Sequence, residues 1–261
     1  MRTQLNGEVV AYGTGSGHAE PGAPSIVFIH GAGFDHSVWV MPARYFARHG
    51  FQVLALDLPA HGKSGGEPLA TVEDMADWLA DFVRQECAGP ATIVGHSLGS
   101  LVAMAFGSRH PELVEKLVLL GTSSPMPVGP PLLQAAADNH HAAIDMANTW
   151  SHSTGGRLGA SQSPGLSNLH SGERLLERMP AGVYHTDLAA CNAFAGDVDI
   201  AGLATLVIIG GADQMTPARA GLKVAEALEG AQTVVLPNCG HSMLSEQPNQ
   251  VLDALADFIM A

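Results

Sequence analysis

The sequence predicts an α/β fold built on a mostly parallel, doubly wound sheet. Short apolar, β-branched runs recur at 26–29, 53–56, 92–94, 117–120, 206–209 and 233–236, and their continuous apolarity predicts strands buried on both faces of a parallel sheet. Between several of them lie stretches with helical spacing of apolar residues. Such an alternation calls for right-handed crossovers, with helices on both faces of the sheet.

The elements follow in chain order. Residues 3–12 carry Asn6-Gly7 between polar and apolar alternations, which predicts an N-terminal β-hairpin. The clearest helix follows Thr71, a candidate N-cap with Glu73 and Asp74 in the first turn, after which Met75, Leu79, Phe82 and Val83 recur on one face. The alternation stops after Thr122. Residues 123–201 contain no convincing buried strand, although a crossover needs only a dozen or so residues, so the segment reads as an insertion. Pro125, Pro127, Pro130 and Pro131 open it, and a Ser/Gly-rich passage spans 151–167. Leu132, Ile144, Trp150, Leu176, Leu188 and Phe194 give it apolar surface to bury, so the expectation is a packed helical cap at 123–201 on a core formed by 1–122 and 202–261. A helix at 250–259 closes the chain.

Composition limits the function. With 261 residues, 46% hydrophobic and 14% charged, the chain has ample core, which excludes a disordered or fibrous protein. Twelve Lys+Arg against 25 Asp+Glu give a net charge of −13, which repels nucleic acid and anionic membranes. No apolar run approaches the roughly 18 residues of a membrane span, and the N-terminus lacks a signal-peptide core. Cys87, Cys191 and Cys239 are too few for a disulfide scaffold and match no metal spacing. These features predict a cytoplasmic protein with no nucleic-acid or membrane partner.

The sharpest chemical signal is Gly95-His96-Ser97-Leu98-Gly99, a G-x-S-x-G pattern directly after the strand run and before a helix-compatible stretch. A strained strand-to-helix turn lifts the serine hydroxyl above the sheet, and the glycines leave room for close backbone approach. A serine hydroxyl needs a base to become a nucleophile. Thirteen histidines are available, but a nucleophile of this kind is followed in the chain by its acid and then by its histidine. Asp213 lies just past the run 206–209, where ligands meet such sheets. Only His241 lies beyond it, again just past a strand-like run. Ser97, Asp213 and His241 are therefore the candidate nucleophile, acid and base, with Asp197 and Asp199 as fallback acids.

With these residues in place the chain resembles the α/β-hydrolase fold family over essentially its whole length, as a capped, carboxylesterase-like serine hydrolase. His30-Gly31-Ala32-Gly33 is similar to the family's oxyanion loop, with Trp39 downstream, and Asp57-Leu-Pro-Ala-His-Gly62-Lys-Ser64 resembles the turn after the next strand. Ala60 departs from the glycine common there. His241 followed by Glu246 and Pro248 also fits, and the cap, inserted after the sixth strand, falls where the family inserts one. The resemblance implies oxyanion donors at the backbone N–H groups of Ala32 and Leu98, with His30 and His96 as hydrogen-bonded structural groups.

The implied activity is hydrolysis of small to medium uncharged esters through an acyl-enzyme, with Trp150, Tyr184 and Phe194 of the cap as candidate substrate-binding residues. No cofactor or metal is required. His140, His141, His152, His170 and His185 lack zinc-like spacing apart from the adjacent pair, and Cys239 reads as a buried loop residue. Carbon–carbon bond cleavage in a dienoic or β-diketone substrate would use the same triad, and lactonase, thioesterase and perhydrolase activities share it. A serine at 97 argues against relatives that use aspartate there, the dehalogenases and epoxide hydrolases. A ligand receptor on the same fold would need a signalling module that the chain does not offer.

Overall fold

The computed structural model describes residues 1–261 except 18, 161, 163, 164 and 197. β1 (Arg2–Leu5) and β2 (Glu8–Gly13) form the expected hairpin, with Leu5 opposite Glu8, so that Asn6 and Gly7 alone make the turn. Both have positive φ, 52° and 86°, the combination that a type I′ turn requires. Next come β3 (Ser25–Ile29), α1 (Val40–Arg48), β4 (Gln52–Leu56), α2 (Val72–Glu86), β5 (Ala91–His96), α3 (Leu98–Arg109) and β6 (Val114–Leu120). The described residues of 123–201 are helical and irregular: α4 (Pro130–Ala137), α5 (Ala142–Ser151), α6 (Thr154–Arg157), α7 (Asn168–Leu176) and α8 (Val183–Ala193). β7 (Thr205–Gly210), α9 (Ala218–Ala227), β8 (Gln232–Leu236), α10 (Met243–Glu246) and α11 (Pro248–Ile259) complete the chain. None of the described helices is long and apolar enough to cross a membrane.

The strands lie in the order β1-β2-β4-β3-β5-β6-β7-β8. The pairs β1/β2 and β2/β4 are antiparallel and the remaining five are parallel. Successive strand residues feed opposite layers: Val27 and Ile29 pack with α2, α3 and α9, whereas Ile26 and Phe28 pack with α1 and α11. Because a strand's side chains alternate between faces, burial on both faces demands the uninterrupted apolar runs seen in the sequence. Phe28 sits 4.9 Å from Trp39, centroid to centroid, and both are fully buried; each such side chain stabilises the fold by about 1.5–3 kcal/mol relative to exposure.

One strand departs from expectation. β8 pairs only with β7 at the sheet edge; Val235 is 45% exposed, and Leu236 is the only residue of the strand that is buried. The run 233–236 is apolar enough to form a strand, but an edge position has only one neighbour to cover it. α2 begins as predicted: the Thr71 hydroxyl accepts from the Asp74 N–H at 3.0 Å, and Met75, Leu79, Phe82 and Val83 are buried. In register, Ile29 lies beside Gly95, His96 beside Leu120, and Gly210 beside Leu236. The carboxyl ends of β3, β5, β7 and β8 thus lie along one edge of the sheet, and the residues just beyond them meet there.

Candidate active site

Ser97 is the single residue between β5 and α3, with φ 55° and ψ −119°. This backbone conformation is strained for a side chain larger than glycine. Its N–H donates to the Leu120 carbonyl at 2.9 Å, and its own carbonyl accepts from the Ser100 N–H at 2.8 Å and the Ser100 hydroxyl at 2.6 Å. The flanking glycines have spatial reasons. A Cβ on Gly95 would overlap the Gly99 carbonyl, and one on Gly99 would overlap the Ile29 carbonyl. The turn therefore closes only with glycine on both sides of the serine.

His241 follows β8, and its Nδ1 is 2.7 Å from Asp213 Oδ2. Asp213 Oδ1 accepts from the N–H groups of Met215 and Thr216, both at 2.8 Å, and Oδ2 accepts from the Thr216 hydroxyl at 2.7 Å. Burial would raise the Asp213 carboxyl, but the facing His241 and these hydrogen bonds outweigh it and hold Asp213 below the usual carboxylate range. With Nδ1 turned to the carboxylate, Nε2 is the ring nitrogen left for proton transfer. His96 fixes the base from behind, its Nε2 donating to the His241 carbonyl at 2.9 Å. Burial first, and then the neighbouring His241, push His96 down to about 3, so it is neutral and structural. Thr216 was not among the residues singled out; its only sequence signal is a hydroxyl three places after a turn aspartate.

Ser97 and His241 both line a cavity of about 260 Å³. Gly31 and Ala32 lie beside the serine, and Met126, Leu132, Trp150, Tyr184 and Leu188 give the cavity apolar walls from the 123–201 segment. No Lys, Arg, Asp or Glu lines it among the described residues. Trp150 and Tyr184 are thus brought to the cavity. Phe194 is not: it is 5% exposed and packs with Met126, Cys191 and the core beneath α8. A helical segment buries aromatic residues both toward a cavity and toward the sheet, and apolarity alone does not tell the two apart. Asp199, a fallback acid, accepts from the Ala201 N–H at 3.1 Å, whereas Asp197 lies outside the described residues.

Of the two candidate oxyanion donors, Ala32 lines the cavity and Leu98 directly follows Ser97. Leu98 is the first residue of α3, so its N–H has no intrahelical acceptor. Ala32 N–H has no protein acceptor among the described residues. His30 is held away from the chemistry: Nδ1 donates to the Gly31 carbonyl at 2.8 Å, Nε2 accepts from the Leu58 N–H at 3.1 Å, and burial lowers it to about 4. Cys239 is fully buried, which pushes its thiol up.

Two further buried carboxylates tie the 123–201 segment to the core. Glu246 accepts from the Ser153 N–H at 3.0 Å and from the Ser153 hydroxyl. Asp187 of α8 accepts from the Gly33 N–H at 2.8 Å and from His61 Nε2 at 2.9 Å. The histidines of the segment are dispersed. His141 faces Asp145 and Glu177 at the surface, His140 accepts from the Ala142 N–H, and His152 Nδ1 donates to the Asn148 carbonyl at 2.7 Å. His141, Glu173 and Glu177 form one cluster at the surface, and Asp35, His36 and the buried Asp57 form another that is only partly exposed.

Residues 26–254 match the Alpha/beta hydrolase family. The chain belongs to that family. Among relatives of this hydrolase, the pimeloyl-acyl-carrier-protein methyl ester esterase of Chromobacterium violaceum is 29% identical over 248 residues, covering 90% of this chain and 94% of that protein. The sn-1-specific diacylglycerol lipase of Mus musculus is 26% identical over 249 residues, covering 90% of this chain and 81% of that one. The (E)-2-((N-methylformamido)methylene)succinate hydrolase of Acinetobacter baylyi is 32% identical over 118 residues, and the match spans 45% of this chain and 43% of that protein. In structure the chain is similar to the enol-lactonase from Burkholderia xenovorans LB400, with a TM-score of 0.86 over the full length of both chains at 22% identity. A thermophilic esterase gives 0.80 at 26% identity, covering 100% of this chain and 96% of that one.

Proposed function

We propose that this alpha/beta hydrolase is a carboxylic ester hydrolase that uses Ser97, His241 and Asp213 to cleave small to medium uncharged esters. The observation that supports this reading is that Ser97, in its strained turn, and the Asp213-bound His241 line the same cavity. His241 Nε2 takes the hydroxyl proton as Ser97 Oγ forms a bond to the ester carbonyl carbon. The carbonyl π pair moves to oxygen, where the Ala32 and Leu98 N–H groups stabilise the charge; losing one such donor typically costs about 100- to 1,000-fold in kcat. When the tetrahedral intermediate collapses, the alcohol leaves with the proton from His241. Water, deprotonated by His241, then releases the acid from the acyl-serine. Asp213 keeps Nδ1 protonated and balances the imidazolium.

The substrate class rests on the apolar walls and on the lack of ionic side chains among the described lining residues. A charged acyl group would enter such a cavity unpaired, at a desolvation cost of several kcal/mol. The same argument weighs against carboxylated dienoic substrates for carbon–carbon cleavage. A panel of p-nitrophenyl esters, lactones and carbon–carbon hydrolase substrates is the test. Ser97-dependent turnover is expected to be fastest on short uncharged esters; preferential turnover of a dienoate or β-diketone would overturn the ester reading.

A further inference from the structure

The buried pair Asp187–His61 takes no part in the triad, yet it reaches the oxyanion loop. Both residues are at most 2% exposed, Asp187 on α8 of the 123–201 segment and His61 on the turn after β4. One carboxylate oxygen, Oδ2, receives both the Gly33 N–H at 2.8 Å and His61 Nε2 at 2.9 Å, while Oδ1 has no partner among the described residues. On its other side His61 Nδ1 lies 2.9 Å from the Pro59 carbonyl. Both ring nitrogens thus face acceptors, which only the doubly protonated imidazolium satisfies. Met179 and Tyr184 press against the same glycine: a Cβ there would come within 2.9 Å of Tyr184 Cδ2 and closer still to Met179. Gly33 has φ +71°, and Ala32 is the residue before it.

A charged pair is a costly way to hold a loop, because apolar residues of the same volume would pack there without desolvating two ions. What apolar residues cannot supply is an acceptor for the Gly33 N–H. Fixing that peptide leaves only the two Ala32 dihedrals to orient the one before it, whose N–H is the Ala32 donor. We propose that Asp187 is a positioning residue for the oxyanion loop, aiming the Ala32 N–H through its hydrogen bond to Gly33, with His61 holding the carboxylate. The 123–201 segment then sets the geometry of the reaction centre as well as its roof. This inference rests on the ester hydrolase reading above.

The test compares three variants on one short p-nitrophenyl ester. The double variant His61→Phe with Asp187→Leu removes both charges and the acceptor while keeping volume. It should melt no lower than the parent, lose about 10- to 100-fold in kcat, the cost of misplacing a stabilising group by about an ångström, and keep KM within about twofold. Asp187→Ala should show the same split of kcat from KM. Asp187→Asn keeps an oxygen for the Gly33 N–H and should hold kcat within about threefold. The Gly33 amide should resist hydrogen exchange in the parent and in Asp187→Asn, and lose that protection in the other two. Wild-type kcat in the double variant, or an asparagine variant as slow as the double, would overturn the proposal. Failure of both acceptor-free variants to fold would assign the pair to stability and overturn it too. If ester turnover in the parent does not depend on Ser97, the functional reading itself falls, a result that the wild-type and Ser97→Ala controls reveal before any Asp187 variant is read.

Discussion

Ser97 is held at φ 55° by hydrogen bonds to its own backbone and not by packing of its side chain. Ser97→Ala should therefore keep the far-UV dichroism spectrum while lowering kcat on short esters by at least about 10,000-fold; turnover near wild type would remove the nucleophile. Asp213→Asn acts by a different route. An amide N–H facing His241 Nδ1 would favour the tautomer with its proton on Nε2, leaving no lone pair for the serine proton, and a loss of about 10,000-fold in kcat follows. Because Asp213 is held below the usual carboxylate range, it stays anionic wherever a histidine titrates. The acid side of the kcat/KM profile should then fit a single protonation, that of the base; two protonations in a pH titration would contradict this. The pairing of Asp213 with His241 was legible in the sequence because chain order and strand ends confine both residues. Thr216 was not, since its role depends on a hydroxyl bridging two residues 28 apart in sequence.

At the scale of elements, α2 and the inserted helices behave differently. α2 is specified locally: Thr71 caps it, and an apolar stripe at helical spacing turns to the sheet. Thr71→Ala should cost about 1 kcal/mol, a fall of roughly 2–4 °C in Tm by calorimetry with kcat unchanged. The segment 123–201 is specified only in aggregate. Its apolar residues announce a buried face, but the structure divides them, with Trp150, Tyr184 and Leu188 toward the cavity and Phe194 toward the sheet. Trp150→Ala should therefore enlarge the acyl space and shift the ratio of octanoate to butyrate ester turnover upward by about tenfold or less, leaving the pH profile in place. An unchanged ratio would remove Trp150 from the specificity wall.

For the molecule as a whole, buried histidines set the response to acid. His96 and His30 are lowered to about 3 and about 4 by burial, against about 6.5 in an unfolded chain. Between those values the unfolded chain binds protons that the folded one refuses, so stability falls as pH falls. Each group contributes stability that is fully present above about 6.5 and lost toward its folded value, on the order of a few kcal/mol. His61 works in the opposite sense. Burial alone would lower it, but the Asp187 carboxylate raises it above the ordinary value, and its contribution is present below about 6.5 and lost as pH rises through the raised value. Tm should accordingly drop steeply between about pH 6.5 and 4, an interval in which His61 stays protonated in both states and leaves the slope unchanged; a flat Tm over this interval would contradict the neutral state of His30 and His96.

The amino-acid sequence by itself determined the strand runs, the hairpin turn at Asn6-Gly7, the Thr71-capped helix and the placement of the candidates Ser97, Asp213 and His241 at strand ends. All of these are local patterns: each is written in residues that are neighbours in the chain or in the order of strand ends. Tertiary structure alone decided the exposure of β8, the burial of Phe194 and the bridges Thr216–His241, Glu246–Ser153 and Asp187–His61. The physical reason is the same in each case. Burial and pairing between residues far apart depend on which faces meet, and a carboxylate reads alike in sequence whether it lies in water or, like Asp187, is fully buried against a histidine 126 residues away.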